Sequence, residues 1–140
     1  MAATIQVEIV SAEREIWSGT ATAVFATALL GEVGIYPRHA PMLTMLKPGE
    51  IRVQFEDGSE EDFFVSGGML EVQPHIVTVL SDTAIRAEDL DEAAALEARN
   101  KAEQAMKDSS ADMDYAKAKS ELVEAAAQLQ AIQKLRKRRK

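Results

Sequence analysis

The sequence predicts a β-sandwich followed by an α-helical hairpin, an all-β unit and then an all-α unit. Three observations carry that prediction. All seven glycines and all four prolines lie before His75. Residues 87–140 contain neither, and hold fourteen alanines instead. Apolar residues recur every second position in the first part and at threes and fours in the second, the periods of strand and helix. The shift places a boundary near Arg86 and Ala87. Residues 1–86 are then an antiparallel β-sandwich, and residues 87–140 a two-helix antiparallel hairpin with a basic tail.

The strands follow in order. Ile5, Val7 and Ile9 alternate with Gln6 and Glu8, and Ile51, Val53 and Phe55 alternate with Arg52, Gln54 and Glu56. Such alternation puts one face on a core and one in water. Asp57-Gly58 before Phe63-Phe64-Val65 signals a hairpin, since both turn positions tolerate positive φ. Glu60-Glu61-Asp62 is then a solvated strand start. Ile76-Val77-Thr78-Val79-Leu80 is a nearly unbroken apolar run, as expected of a strand covered on both faces. Short strands with closely spaced turns build a sandwich or a flattened barrel.

The helices come next. Asp89 fits an N-cap with Glu92 three residues on, which starts a helix near Leu90 and carries it to about Met106. Lys107-Asp108-Ser109-Ser110-Ala111-Asp112 reads as a turn with a new N-cap. The second helix places Tyr115, Ala118, Leu122, Ala125, Leu129 and Ile132 at alternating threes and fours, the seam of the hairpin. Alanine favours helix but buries little area, and at roughly 0.8 kcal/mol per CH₂ an alanine-for-leucine seam forgoes several kcal/mol of packing. From sequence, the hairpin is either fixed in place or able to open.

Composition excludes several function classes. The chain has 140 residues, 46% of them hydrophobic, so a core is expected. With no cysteine there is no disulfide, thiolate catalysis or cysteine-bound zinc. No stretch approaches the 18 apolar residues of a membrane span, and no basic region precedes an apolar block as in a secretory signal. His39 and His75 lack metal-ligand spacing, so no metal is expected. There is no Walker A run, and Gly31-x-x-Gly34 lacks the pattern of a dinucleotide loop. No catalytic residue and no cofactor is expected. Residues 1–86 carry a net charge of −7 and 87–133 of −6, whereas the last seven carry +6. An acidic body disfavours nucleic acid and anionic lipid. The basic tail is a solvated helix end that complements the dipole, a short nucleic-acid or membrane patch, or a docking element for an acidic protein segment.

The most specific stretch is Gly31-Glu32-Val33-Gly34-Ile35-Tyr36-Pro37-Arg38-His39-Ala40-Pro41. Its glycines admit positive φ or close approach, and its prolines fix φ and remove two donors. A stiff loop presenting Glu32, Arg38 and His39 is expected. Val65-Ser66-Gly67-Gly68-Met69-Leu70-Glu71-Val72-Gln73-Pro74 is the second unusual run.

Together the two runs resemble the signature of the epsilon subunit of bacterial F-type ATP synthases. The resemblance extends through Val10-Ser11-Ala12-Glu13, Leu46-Lys47-Pro48-Gly49, Val79-Leu80-Ser81-Asp82-Thr83-Ala84, Asp89-Leu90-Asp91-Glu92 and Asp114-Tyr115-Ala116. It implies a sandwich with two helices and a noncatalytic rotor role in the central stalk, bound to the gamma subunit and the c-ring. It also implies a peripheral location on the cytoplasmic face of the bacterial inner membrane. By resemblance, Glu32, Arg38 and His39 contact the polar loops of the c subunits; the plainer reading of His39 is a turn residue held by backbone bonds. In the family the hairpin lies folded on the sandwich or extends along gamma to the alpha and beta subunits, where it inhibits ATP hydrolysis. Arg136, Lys137, Arg138 and Arg139 are then candidates for an acidic loop of beta. Two rivals remain: a soluble β-sandwich ligand-binding module, which requires a deep apolar pocket, and an enzyme using His39 or Glu32.

One departure generates a prediction. Members that bind ATP carry Leu/Ile-Asp-x-x-Arg-Ala at the first helix. Here the run is Leu90-Asp91-Glu92-Ala93-Ala94-Ala95, and no Lys or Arg lies between Lys119 and Lys134. Phosphate would lack its bidentate partner. Calorimetry on the isolated chain is expected to show no saturable binding at micromolar ATP.

Overall fold

The computed structural model describes residues 3–108 and 112–139; the side chains of residues 112, 113, 138 and 139 lie outside that description. Cα packing divides the chain into two compact units, Met1–Glu88 and Asp89–Lys140.

The first unit contains nine strands: β1 (Ile5–Ser11), β2 (Glu15–Ala21), β3 (Ala23–Ala28), β4 (Gly31–Ile35), β5 (Met42–Gln54), β6 (Glu60–Val65), β7 (Gly68–Val72), β8 (Ile76–Ser81) and β9 (Ala84–Arg86). They pair in the order β2-β1-β8-β7-β5-β3-β4, with β6 joining β5 and β9 off that path. Strand β5 is where the sheet divides. Its first half, Met42–Leu46, pairs with β7, and its second, Gly49–Gln54, with β6. Between them stands Pro48, which has no N–H, so the change of partner occurs where a ladder donor is missing anyway.

Alternation selects the core as expected. Ile5, Val7 and Ile9 are buried, as are Ile51, Val53, Leu70, Val72, Val77 and Val79. Trp17 lies 5.9 Å from both Phe55 and Phe63 and covers Gly19, where a Cβ would meet its ring at 2.7 Å. The Asp57-Gly58 turn forms, with Gly58 at φ 85° and the Asp57 carboxylate accepting from the Ser59 N–H at 2.9 Å. That carboxyl is held below its ordinary range, chiefly by the Ser59 hydroxyl bond.

Two strand expectations require correction. The sandwich is not wholly antiparallel, because β1 runs parallel to β8. Nor is β8 covered on both faces. Val77, Val79 and Ser81 are buried, whereas Leu80 is 45% exposed. Its unbroken apolar run reflects a core on one side and an uncovered apolar face on the other.

The second signature run closes a tight corner against the end of β8. Gly68 has φ 131°, and a Cβ there would lie 2.0 Å from the Leu80 carbonyl oxygen. The buried Ser81 hydroxyl sits 2.5 Å from the Gly67 carbonyl and 2.8 Å from that of Thr83, with one hydrogen to give between them. Ser66 completes the corner: its N–H donates to the Thr83 carbonyl at 3.0 Å, and its hydroxyl accepts from the Thr83 N–H at 3.1 Å.

The second unit holds α1 (Glu92–Asp108) and α2 (Asp112–Arg139), after a 3₁₀ turn at Ala87–Asp89. The N-cap is Asp91, not Asp89: its carboxylate accepts from the Ala93 and Ala94 N–H groups at 2.9 and 3.3 Å. Asp89 is instead consumed by the 3₁₀ turn, so the helix starts two residues later than the Leu90 expectation. The expected turn at Ser109-Ser110-Ala111 lies outside the described residues.

Replacing Gly68 with alanine forces either the β7–β8 register or the Leu80 carbonyl to move. Gly68→Ala is expected to destabilise the β unit by at least about 2 kcal/mol. Trp17, the sole tryptophan, reports this directly as a lower urea midpoint in fluorescence.

Candidate docking surfaces

Four exposed surfaces stand out, and the last two carry the features singled out by sequence. The first was not foreseen. In the register of four adjacent strands, Met45 stands opposite Met69, Met69 opposite Leu80, and Leu80 opposite Val10. Strands about 4.8 Å apart make this a row some 14 Å long on the outer face. Met45 and Leu80 are 48% and 45% exposed, and Leu43, two residues before Met45 on the same face, is 62% exposed. An open depression of about 310 Å³ lies at the end of the row, lined by Val10, Ser11, Ala12, Gly68, Met69, Leu80, Ser81 and Asp82. Contiguous exposed apolar residues on a well-packed sheet are the mark of a surface that another molecule covers.

The second surface is the β3–β4 tip. Gly31, at φ 137°, makes the turn, leaving Leu29 and Leu30 exposed and Glu32 exposed beside them. The Leu29 N–H donates to the Met45 carbonyl at 3.0 Å, so the tip adjoins the apolar row. The sequence signal for the tip was available: two leucines directly before a glycine turn have no core to enter.

The third is the turn after β4. The expected single loop presenting Glu32, Arg38 and His39 does not form, because Gly31–Ile35 is itself a strand paired with β3. Glu32 lies at one end of it and Arg38 and His39 beyond the other. Arg38 has φ 67°, and its N–H donates to the Pro74 carbonyl at 3.0 Å, joining the two signature runs. The His39 N–H donates to Tyr36 at 3.2 Å, and its Nδ1 lies 2.7 Å from the Ala40 carbonyl. A carbonyl only accepts, so Nδ1 carries a proton. These are the contacts of a turn residue. Gly34 serves close approach: the Phe25 ring lies over it, edge-on to Tyr36 and beneath the Arg52 guanidinium at 4.4 Å.

The fourth is the hairpin. Of the expected seam, Ala118, Ala125 and Ile132 are buried and Leu122 and Leu129 half-buried, facing a first helix whose buried residues are Ala95 and Ala102. Tyr115 departs from the pattern at 46% exposed, at the first turn of α2, and Ala131 is buried as well. Arg136 pairs with Glu92, and Lys137 is exposed. The side chains of Arg138 and Arg139 lie outside the described residues. Among the described residues, no three His, Asp or Glu side chains are grouped to hold a metal.

Comparison with known proteins follows this division. Residues 4–87 match the family model for the ATP synthase delta/epsilon chain β-sandwich domain, and residues 88–133 match its long α-helix domain. The chain belongs to the ATP synthase delta/epsilon family. It is similar to the ATP synthase epsilon chain of Nitrosococcus oceani, with 62% identity and 99% of each chain covered. It is also similar to that of Thioalkalivibrio sulfidiphilus, at 61% identity with 98% of each covered. Among solved structures, a chain in the Euglena gracilis mitochondrial ATP synthase OSCP/F1/c-ring structure shares the fold at TM-score 0.83 and 20% identity, covering 93% of this chain and 82% of the other. A chain of the Tetrahymena thermophila mitochondrial ATP synthase central stalk/c-ring matches at TM-score 0.66 and 15% identity, covering 93% and 97%. A delta/epsilon chain is thus an N-terminal β-sandwich with C-terminal helices, as found here.

The hairpin carries a pH signature. Burial, and then the Glu121 carboxylate one turn away, raise the Glu124 pKa. The folded unit therefore binds this proton more tightly than the unfolded chain. The contribution of Glu124 to stability is fully present below the ordinary glutamate range and is lost as pH rises through the raised value. Glu124→Gln is expected to remove that fall and to stabilise the helices at pH 7 by roughly 0.2–0.5 kcal/mol, the scale of a screened like-charge pair. Melts followed by helical circular dichroism at pH 4 and 7 check both.

Proposed function

We propose that the chain is a noncatalytic central-stalk subunit of a bacterial proton-translocating F-type ATP synthase. It couples ring rotation to ATP synthesis and, through its C-terminal helices, restrains ATP hydrolysis. The observation that carries this reading is the apolar row of exposed Met45 and Leu80 with half-buried Met69 and Val10, in a chain of the delta/epsilon family. A rotor element transmits torque only if it is seated on the shaft over an area, and an apolar sheet face supplies one without catalytic groups.

In this reading gamma covers the apolar row. Glu32 meets a polar loop of the c-ring beside the Leu29–Leu30 tip. Arg38 and His39 make a second contact a strand length away, about 16 Å. Arg136, Lys137, Arg138 and Arg139 reach an acidic segment of beta when the helices extend along gamma between the alpha and beta subunits. No helix among the described residues is long and apolar enough to cross a membrane. The subunit would sit peripherally on the cytoplasmic face of the inner membrane, held by its protein partners. The ligand-module rival asked for a deep apolar pocket. The sandwich interior is instead filled by Phe63, Ile5, Ile9, Ile35 and Ile51, and the depression beside Leu80 is open.

Gentle detergent purification of the tagged chain from its native cells is expected to recover alpha, beta, gamma and c subunits together. Leu80→Asp, which changes only an exposed position, is expected to lose them while the isolated chain keeps its urea midpoint. Recovery of the chain alone, under conditions that keep the synthase intact, would overturn the assignment. In the assembled enzyme, deletion of residues 134–140 is expected to raise ATP hydrolysis; unchanged activity in a latent preparation counts against the inhibitory role.

A further inference from the structure

We propose that Glu92 and Arg136 form a latch that holds the helical hairpin closed and withholds Arg136 from any acidic partner. The regulatory part of this inference rests on the inhibitory reading of the helices given above. Both guanidinium arms of Arg136 engage the Glu92 carboxylate: Nη1 donates to Oε1 at 3.4 Å and Nη2 donates to Oε2. Among the described residues, the other ion pairs of this unit, Glu97–Lys101 and Arg99–Glu103, lie within α1.

Its position gives the pair leverage. Glu92 is the first residue of α1 and Arg136 stands in the last turn of α2, so the contact closes the open end of the hairpin. The connection between the helices is at the far end, about 25 Å away for a 17-residue helix. With both helices rising equally from this register, Ala95 falls within one residue of the level of Ile132, and Ala102 within one of Ala125. On α1 the seam is made of the small Ala95 and Ala102, so Leu122, Leu129 and Ile132 of α2 meet little apolar area across it. The latch contributes on the modest scale of a partly solvated pair, at 64% and 43% side-chain exposure, and its weight comes from its place at the open end.

The pair is also exclusive. A guanidinium fork committed to one carboxylate on two arms cannot present the same two donors to another. Glu92 thus stands in, within the chain, for an acidic segment of a partner. Opening the hairpin therefore frees Arg136, which the closed hairpin holds on Glu92.

The test uses the full chain, whose lack of cysteine permits a spin-label pair at Ala98→Cys and Gln130→Cys, both exposed positions near the open end. In Glu92→Gln the population at longer label separation is expected to rise roughly two- to five-fold, the scale of an exposed ion pair. Arg136→Gln should do the same without touching the first turn of α1, and the swapped pair Glu92→Arg with Arg136→Glu should reverse it. Unchanged distances in both single variants overturn the latch. In the assembled synthase, Glu92→Gln is expected to lower ATP hydrolysis by a similar factor, and deletion of residues 134–140 to abolish that effect. Lengthened distances with unaltered hydrolysis leave the latch standing and overturn the inhibitory reading instead.

Discussion

The approach of Gly68 to the Leu80 carbonyl fixes the β unit. No side chain fits between them, and the buried Ser81 hydroxyl ties the same corner to Gly67 and Thr83. That corner sets the register of β7 against β8. With it set, Leu70 and Val79 point into the core, and Met69 and Leu80 point out. A slip of one residue would exchange the two sets, exposing core and burying the apolar row. The residues that close the corner and the apolar residues left on the outer face are therefore read off one register. A glycine with no ligand of its own decides which face of the sheet is offered.

The two units hold themselves together by different means. The sandwich encloses large side chains, Phe63, Ile5, Ile9 and Ile51 among them, and its ladders leave few alternatives. Among the described residues the hairpin relies on alanines, Ile132 and two half-buried leucines, one cross-helix ion pair and a capping aspartate, the last two each worth little alone. Glu124, strained by burial and by Glu121, acts against it at neutral pH. A rigid seat joined to a weakly closed pair of helices is a sound division for a part that stays bound while one element changes shape.

Much of this was legible in the sequence. Alternation at Ile5, Val7 and Ile9 named core residues, Asp57-Gly58 named its turn, and the absence of glycine and proline after His75 named the helical unit. What was misread has a common cause: apolar residues serve cores and docking faces alike, and periodicity cannot tell them apart. Ile76–Leu80 reads as buried on both sides for that reason, and nothing in the pattern sets Met45 and Met69 apart from core residues. Glycine and proline mark turns, so the Gly31–Pro41 run reads as one loop; yet Gly34 sits in extended backbone beneath Phe25, and the strand it belongs to separates Glu32 from Arg38. Asp89 reads as the cap because Glu92 follows it by three, but the 3₁₀ turn claims it and Asp91 caps the helix instead. The parallel pairing of β1 with β8 has no local signature, since it joins strands some seventy residues apart.

Leu30, fully exposed at its tip, has a consequence for supply. The apolar row and the edge strand β4 lie on the same unit, and the outer backbone groups of β4 lack a ladder partner in the sheet path. A chain made in excess over whatever covers these surfaces would find its nearest match in another copy of itself. The formal net charge of −7 opposes such pairing at low ionic strength, and opposes it less as salt screens the repulsion. A surface built to be covered thus places a ceiling on how many uncovered copies a cell can hold.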